Sequence, residues 1–384
     1  MRSSRQIIIV GAGPGGLALA LALRQAGFYP VVYERAQSGR EAGCGFTLWP
    51  NAMRALDALG VGAEVRRRCK PLQGIAMTVA NGSELFHVDS SALCSGYEGI
   101  GWALQRKELI ELLLDFLGPG HIKFGAACVG FEQSAGEVKA LFDDGSTARG
   151  CALIGADGLR SAVRSHLFGE RKLRFAGYTV SRGIARLRLP NAIGVTSLGQ
   201  GHQFGYFPMS HDRVYWFASR NSSQAEAHSP SENKAELLEN FSDWHARVRQ
   251  LIESTPDSCI LRNEIYDIDP LPAWTSGHVT LLGDAAHPAT PDLGQGACQA
   301  IEDSAVLSRC LQRNSDIGVA LKNYESHRIH RTRELTLLAR RIGRSGTWTN
   351  PFLCGLRNWA IRHTPQSVRV RQLQEMFDFE TQGA

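Results

Sequence analysis

Three glycine-punctuated segments, far apart in the chain, hold residues suited to different parts of one kind of ligand. They are Gly11-Ala12-Gly13-Pro14-Gly15-Gly16, Gly155-Ala156-Asp157-Gly158, and Gly283-Asp284-Ala285-Ala286-His287 with Pro291 and Gly294-Gln295-Gly296 beyond it. In the first, Gly11 permits a tight turn, Gly13 lets backbone approach a pyrophosphate, and Gly16 lets a following helix pack closely. Gly15 lies in the same turn, and Pro14 suits a first helical position, where its missing N–H costs nothing. Glu34 then stands close to the spacing at which a carboxylate receives the hydroxyl pair of a ribose, so the segment reads as a dinucleotide site for an adenosine without a 2′-phosphate. In the third segment Asp284 can accept a sugar-like hydroxyl, while Gly294-Gln295-Gly296 opens a helix through Ala297 whose unpaired N–H groups favour negative charge. A hydroxyl acceptor beside an anion-stabilising helix start is what the ribityl chain and pyrimidine ring of a reducible flavin need. A nicotinamide gains no comparable charge.

These residues need strands and helices to carry them. Ile7-Ile8-Ile9-Val10 reads as a buried parallel strand and residues 17–23 as a buried helix, so the first glycines fall on a strand–turn–helix unit. A second strand over 30–33 delivers Glu34. Pro50-Asn51 precedes a helical pattern over 52–59, with Asn51 as its cap and Gly60 as a left-handed stop. A helix over 106–117, a short strand at Ala127-Cys128-Val129 and a hairpin of 138–142 with 147–153, turned by Asp143-Asp144-Gly145, lead into the second segment. From 173 to 268 the pattern is β-rich, interrupted by one polar helix over 232–253. A strand over 279–282 reaches Gly283-Asp284, and long helices follow. The fold class expected is α/β: a Rossmann-like dinucleotide domain, a second mainly β-sheet domain and C-terminal helices. The divisions are 1–172 and 273–340 for the nucleotide domain, 173–272 for the substrate sheet and 341–384 for a helical segment.

Composition narrows the classes. The chain has 384 residues, 43% of them hydrophobic, enough for two cores. A formal net charge of +5 with dispersed basic residues and no zinc-finger, basic-region or RNA-motif signature excludes a nucleic-acid partner. Nine scattered cysteines without a Cys-x-x-Cys pair read as reduced thiols, hence a cytoplasmic protein. Arg2 and Arg5 before an uncharged stretch resemble a secretory signal, but the glycines and proline interrupt it, and no other stretch is long and apolar enough to span a membrane. His287 invites a metal role, yet no second ligand stands at turn or helical spacing, and His327 and His330 lie on a polar helix, so no metal is expected.

With these motifs in order, the chain resembles the single-component flavin-dependent monooxygenases related to para-hydroxybenzoate, salicylate and urate hydroxylases and zeaxanthin epoxidase. The resemblance runs over nearly the whole chain. It includes Glu34-Arg35, the segment from Gly43-Cys44-Gly45 to Trp49-Pro50-Asn51-Ala52, Leu104-Gln105-Arg106, the run Asp157-Gly158-Leu159-Arg160-Ser161-Ala162-Val163-Arg164, and Gly283-Asp284. The short C-terminus is most similar to compact members, including bacterial quinolone hydroxylases. The resemblance implies FAD, with Glu34 on the adenosine ribose, Arg35 and Arg106 along the pyrophosphate, the backbone at Cys128 on the adenine and Gly45 in the flavin loop. It also implies Asp284 on the ribityl chain, Gly294, Gln295, Gly296 and Ala297 facing the pyrimidine, and Pro291 near the carbon that carries a peroxide. Asp157-Gly158 is implied in both FAD and reduced-nicotinamide binding, since no second dinucleotide fingerprint is present. Arg160 and Arg164 serve equally as nicotinamide contacts or as structure at a helix start, and Cys44 as a small buried residue rather than a covalent flavin link.

The reaction implied is hydroxylation or epoxidation of an aromatic or heteroaromatic small molecule by NADH or NADPH and O2 through a C4a-hydroperoxyflavin. No protein nucleophile is needed. The second sheet supplies the candidate pocket: Tyr206 and His202 in first place, then Arg182, Gln203 and Tyr215, with alternation leaving open which face meets the flavin. Many relatives carry a tryptophan where this chain has Ser181, which leaves pocket size open. Competing classes are a halogenase, which should carry a catalytic lysine and a Trp-rich insertion not found here, a flavin reductase of isoprenoid chains, and a flavin sensor. Neither of the last two should hydroxylate a substrate with oxygen.

Overall fold

Residues Ile7, Ile8 and Ile9 are fully buried because their strand, Gln6–Val10, lies at the centre of a parallel sheet covered on both faces. The computed structural model describes residues 6–38, 44–93, 99–134, 136–223 and 234–378. The sheet order is Val279–Leu281, Ala152–Gly155, Gln6–Val10, Tyr29–Glu34, Ile122–Phe124, all parallel. The three glycine segments leave the C-terminal ends of its three adjoining strands, the end at which open α/β sheets bind ligands. The glycine-loop helix Pro14–Gln25 crosses helix Gly296–Arg313 so closely that a Cβ on Gly15 would lie 2.8 Å from the Ala300 methyl.

Two of the expected elements divide. The hairpin pairs Glu137–Phe142 with Thr147–Gly150 only, and after Cys151 the chain enters the parallel sheet as Ala152–Gly155. The apolar run from 152 to 155 is buried on both faces, which a solvated hairpin could not provide. The polar helix is, in its described part, two helices, Lys234–Asn240 and Ala246–Glu253, broken where Phe241 turns inward at 2% exposure to pack on Phe204 and Trp244. Asn51 is not a cap either. The helix spans Pro50–Ala58 with Trp49 at the cap position, and the buried Asn51 amide donates to Gln295 and Glu302. Gly60, at φ +74°, does end that turn.

The second sheet has seven strands, ordered Leu261–Asp267, Arg174–Arg186, Arg213–Asn221, His202–Pro208, Ile193–Leu198, Gly74–Val79 and Glu84–Asp89. Its last two strands come from between the first and second glycine segments. One face packs on Lys234–Asn240 and Ala246–Glu253 through Phe204, Trp216, Ala218, Leu237, Val248 and Leu251. The opposite face turns toward the nucleotide fold. Helices Ile317–Gly346, Pro351–His363 and Gln366–Phe377 complete the chain. Among the described residues, no helix is long and apolar enough to cross a membrane.

Candidate active site

At the first glycine segment the backbone itself forms the site. Gly11 has φ +109°, and a Cβ there would meet the Ala156 carbonyl at 2.3 Å; a Cβ on Gly16 would meet the Gly11 carbonyl at 2.1 Å. Around Gly13 the only atom of the described residues close to a would-be Cβ is an Arg106 guanidinium nitrogen, 3.6 Å away, so an open notch lies between a helix N-terminus and a cation. That is an anion cradle. Pro14 begins the helix as expected from its ring geometry. Glu34 accepts hydrogen bonds from the Ala12 and Ala36 N–H groups at 2.7 and 2.9 Å, which fixes its carboxylate at the strand end beside the notch. Arg35 is exposed next to it. The Cys128 thiol is buried, and burial pushes it up to about 11, so it stays neutral; only its backbone can meet a ligand.

The second segment is joined to the third. Asp157 accepts from the Ser161 hydroxyl at 2.5 Å and from the Ala162 and Val163 N–H groups at 2.7 and 3.2 Å, capping helix Ala162–Phe168. Arg164, buried, donates to the Ala285 carbonyl at 2.9 Å and the Asp284 carbonyl at 3.4 Å. It therefore ties the two motifs together, while Arg160 is exposed. The Asp284 side chain is open to solvent yet crowded by protein on its other sides; this desolvation raises its carboxyl, opposed by the charges of His287, Arg106 and Arg164. Among the described residues its carboxylate accepts no hydrogen bond, so it is available to a hydroxyl donor.

Behind it lies a buried ionic network. Asp303 accepts from the Gly283 N–H at 2.9 Å, pairs with His287 Nε2 at 2.7 Å and receives Arg328 Nε at 2.6 Å. Burial alone would raise the Asp303 carboxyl, but the charges of His287 and Arg328 hold it down at about 2. His287 thus belongs to the scaffold of the turn. Arg328 also meets Glu302 at 2.5 Å, and Glu302 in turn accepts from Asn51.

Pro291, Gly294 and Gly296 line the open side of the third segment, and Ala297 is partly exposed. Gly294 is left-handed at φ +63°, and Trp49 Nε1 donates to its carbonyl at 3.2 Å. The first intrahelical bond of Gly296–Arg313 is donated by Gln299, leaving the Gly296 and Ala297 N–H groups at the helix mouth. Gln295 accepts from Asn51 and Gln299, so its side chain braces this mouth rather than crossing it. A pair missed in the sequence stands beside it: Tyr178 donates to Asp292 at 2.7 Å, and burial raises both groups. Asp292 lies between Pro291 and Gly294 and was within reach of a sequence argument; Tyr178, more than a hundred residues earlier, was not.

Strand pairing resolves the faces of the second sheet. Gly205 lies opposite Phe217, Phe207 opposite Tyr215 and Arg182 opposite Phe217, so these residues share one face with Gln203. On that face Tyr215 packs so tightly on strand Gly45–Leu48 that a Cβ on Gly45 would lie 2.6 Å from its ring. Burial raises the Tyr215 hydroxyl, opposed by the adjacent Arg182, which is also close to Cys44. Phe207 meets Trp49 edge-on, with centroids 6.4 Å apart. Gln203 abuts Gly346 at the end of helix Ile317–Gly346. Tyr206 and His202 are on the other face. Tyr206 packs on the helix-side core near Arg247, and His202 meets Phe241 edge-on at 5.7 Å. Ser181, paired with Ala218, also points to that face, so its size does not shape the flavin-side wall. Gly43 lies outside the described residues.

A family model described as an FAD binding domain matches residues 4–336. The chain belongs to the FAD-dependent aromatic monooxygenases. It is 37% identical over 364 residues to the aurachin C monooxygenase/isomerase of Stigmatella aurantiaca, covering 94% of this chain and 95% of that protein. It is 33% identical over 383 residues to the 2-heptyl-3-hydroxy-4(1H)-quinolone synthase of Pseudomonas aeruginosa, covering 97% of each. The crystal structure of Klebsiella pneumoniae HpxO complexed with FAD and uric acid is similar over 98% of this chain and 97% of that one, with a TM-score of 0.90 and 30% identity. This monooxygenase therefore binds FAD, as its glycine segments led one to expect, and acts through flavin chemistry on small aromatic or heteroaromatic molecules, as the family resemblance implied.

Proposed function

We propose that this monooxygenase uses NADH or NADPH, with O2, to hydroxylate or epoxidise a flat, singly ionisable bicyclic heteroaromatic of the hydroxyquinolone type. The observation that carries this reading is the composition of the flavin-side wall. Phe207 stacks with Tyr215 and Phe217 at centroid separations of 6.2 and 6.4 Å, and Arg182 stands beside these rings, while Arg186 and Arg213 lie at the far end of the same face, Arg213 paired with Glu108. A flat ring can lie on the aromatic surface with its oxygen toward Arg182. An adjacent guanidinium favours the ionised form of that oxygen, and the ionised ring is the better nucleophile. A single guanidinium beside the rings suits one negative charge there, not two. The quinolone named for the Pseudomonas aeruginosa relative supports the same ring class.

When bound, FAD would supply the redox and oxygen chemistry. The protein's residues hold and orient: Glu34 the adenosine ribose, Arg35 and Arg106 the pyrophosphate beside Gly11, Gly13, Gly15 and Gly16, and the Cys128 backbone the adenine. Asp284 receives the ribityl chain, and Gly294, Gly296 and Ala297 offer the helix mouth to the pyrimidine with Pro291 beside it. Gln203 and Tyr215 close the pocket around the ring. Asp157 acts through the helix it caps. NADH is the favoured reductant, and the cytoplasm the favoured compartment, in keeping with free thiols at all eight described cysteines. The test is a screen of hydroxyquinolones and other heteroaromatics for stimulated NAD(P)H oxidation with product mass measured. A product heavier by one oxygen supports the reading; stimulation only by dianionic or aliphatic compounds overturns it.

A further inference from the structure

Helix Pro351–His363 has two unlike faces. Cys354 and Arg357 are buried, and Arg357 donates to the Ser345 carbonyl at 2.8 Å and the Gly199 carbonyl at 3.0 Å, which seats the helix against the end of Ile317–Gly346 and the second sheet. The opposite face carries Phe352, Leu353, Leu356 and Trp359, at spacings that gather them on one side of the helix. Phe352 is 77% exposed, Leu356 51% and Trp359 59%. Single exposed apolar residues are ordinary, but four on one helical face form a patch.

Along this part of the chain the charge is one-sided, with exposed Glu84 of the adjoining strand next to Arg362. From 335 to 374 the sequence contains arginines at 340, 341, 344, 357, 362, 369 and 371 and no Asp, Glu or Lys. Arg340 and Arg371 have carboxylate partners from outside that stretch, whereas Arg341, Arg344 and Arg362 are exposed, and Arg362 donates only to the Glu84 backbone carbonyl among its described hydrogen bonds. An aromatic and aliphatic face flanked by arginines without interspersed carboxylates matches an interfacial helix. Its rings enter the acyl boundary while its cations meet lipid phosphates.

We propose that the outward face of Pro351–His363 docks this enzyme peripherally on an anionic phospholipid surface. The proposal is independent of the substrate. It also differs from a membrane span, since the helix lies on the surface rather than crossing it. The contact combines apolar insertion with charge attraction, so it weakens with salt and is stronger on anionic than on neutral lipid.

The test is co-sedimentation of the FAD-loaded full chain with vesicles of phosphatidylcholine alone and of phosphatidylcholine mixed with phosphatidylglycerol, at low and high salt. Binding should favour the anionic vesicles and fall with salt. The double variant Phe352→Ser/Trp359→Ser should lower the bound fraction about tenfold, equivalent to ~1.4 kcal/mol, while retaining flavin absorption and NAD(P)H oxidation. Arg341→Gln/Arg344→Gln/Arg362→Gln should abolish the preference for anionic lipid. No sedimentation with either vesicle, or binding unchanged in the serine variant, overturns the proposal. So does a lipid-free dimer in analytical ultracentrifugation that the serine variant dissolves, because it assigns the face to a second copy.

Discussion

Arg182 and Tyr206 stand on the two strands that flank Arg213–Asn221 and have opposite prospects, because cross-strand partners share a face and successive residues do not. Arg182→Met should leave FAD bound but uncouple the enzyme, with hydrogen peroxide replacing product while NAD(P)H is still consumed. Tyr206→Phe, on the helix-covered face, should keep wild-type coupling. Peroxide yield per nicotinamide oxidised checks both, and the reverse pattern would move the pocket to the other face. Asp284 allows a second prediction. A hydrogen bond to a charged group contributes about 1.5–3 kcal/mol, so Asp284→Ala should weaken FAD binding by roughly tenfold to a hundredfold in a fluorescence titration. The sign of its pH dependence follows from the raised carboxyl. Hydroxyl donors prefer the ionised carboxylate, so affinity holds above that raised value and declines as pH falls through it; the acid decline should shrink in Asp284→Asn. An unchanged titration in both variants would remove Asp284 from the site.

At the scale of elements, the turn bearing Asp284 is held by the Asp303–Arg328 pair on two long helices. Arg328→Met leaves buried Glu302 with Arg331 alone and Asp303 with His287 alone, and breaking such a buried pair costs about 3–5 kcal/mol. Denaturant unfolding should show that loss, with flavin retention falling alongside. Asp303, held at about 2, lies below its unfolded value, so its contribution is present above that unfolded value and is lost as pH falls toward 2. Asp303→Asn should flatten stability over that acid window. Elements were legible where local chemistry dictated them. Gly11 can occupy its turn only without a Cβ, and the isoleucines at 7 to 9 fit only a strand buried on both faces. Asn51 was misread because its partners, Gln295 and Glu302, are distant in sequence while Pro50 beside it mimics a cap. The alternation of the second sheet was legible, but its sidedness was not. That depends on the helices on either side of Phe241 covering Tyr206, and on Gly45 meeting Tyr215 from the opposite direction.

At the scale of the whole molecule, a parallel sheet holds the glycine segments while a mixed, mostly antiparallel sheet, completed by strands at 74–79 and 84–89, presents an aromatic wall toward them. Neither sheet alone makes an enzyme of this class. The nucleotide fold provides cradle and helix mouth, and the second sheet provides Arg182, Tyr215 and the stacked phenylalanines. The central claim is that these two parts together deliver an oxygen atom from O2 to a heteroaromatic ring. It is tested most directly by turnover of the FAD-loaded protein with NADH, a 2-alkyl-4-quinolone and O2 enriched in oxygen-18, read by product mass. The account predicts a ring product carrying one heavy oxygen, formed in step with nicotinamide oxidation. A ring product whose added oxygen is light, drawn from water, would contradict it.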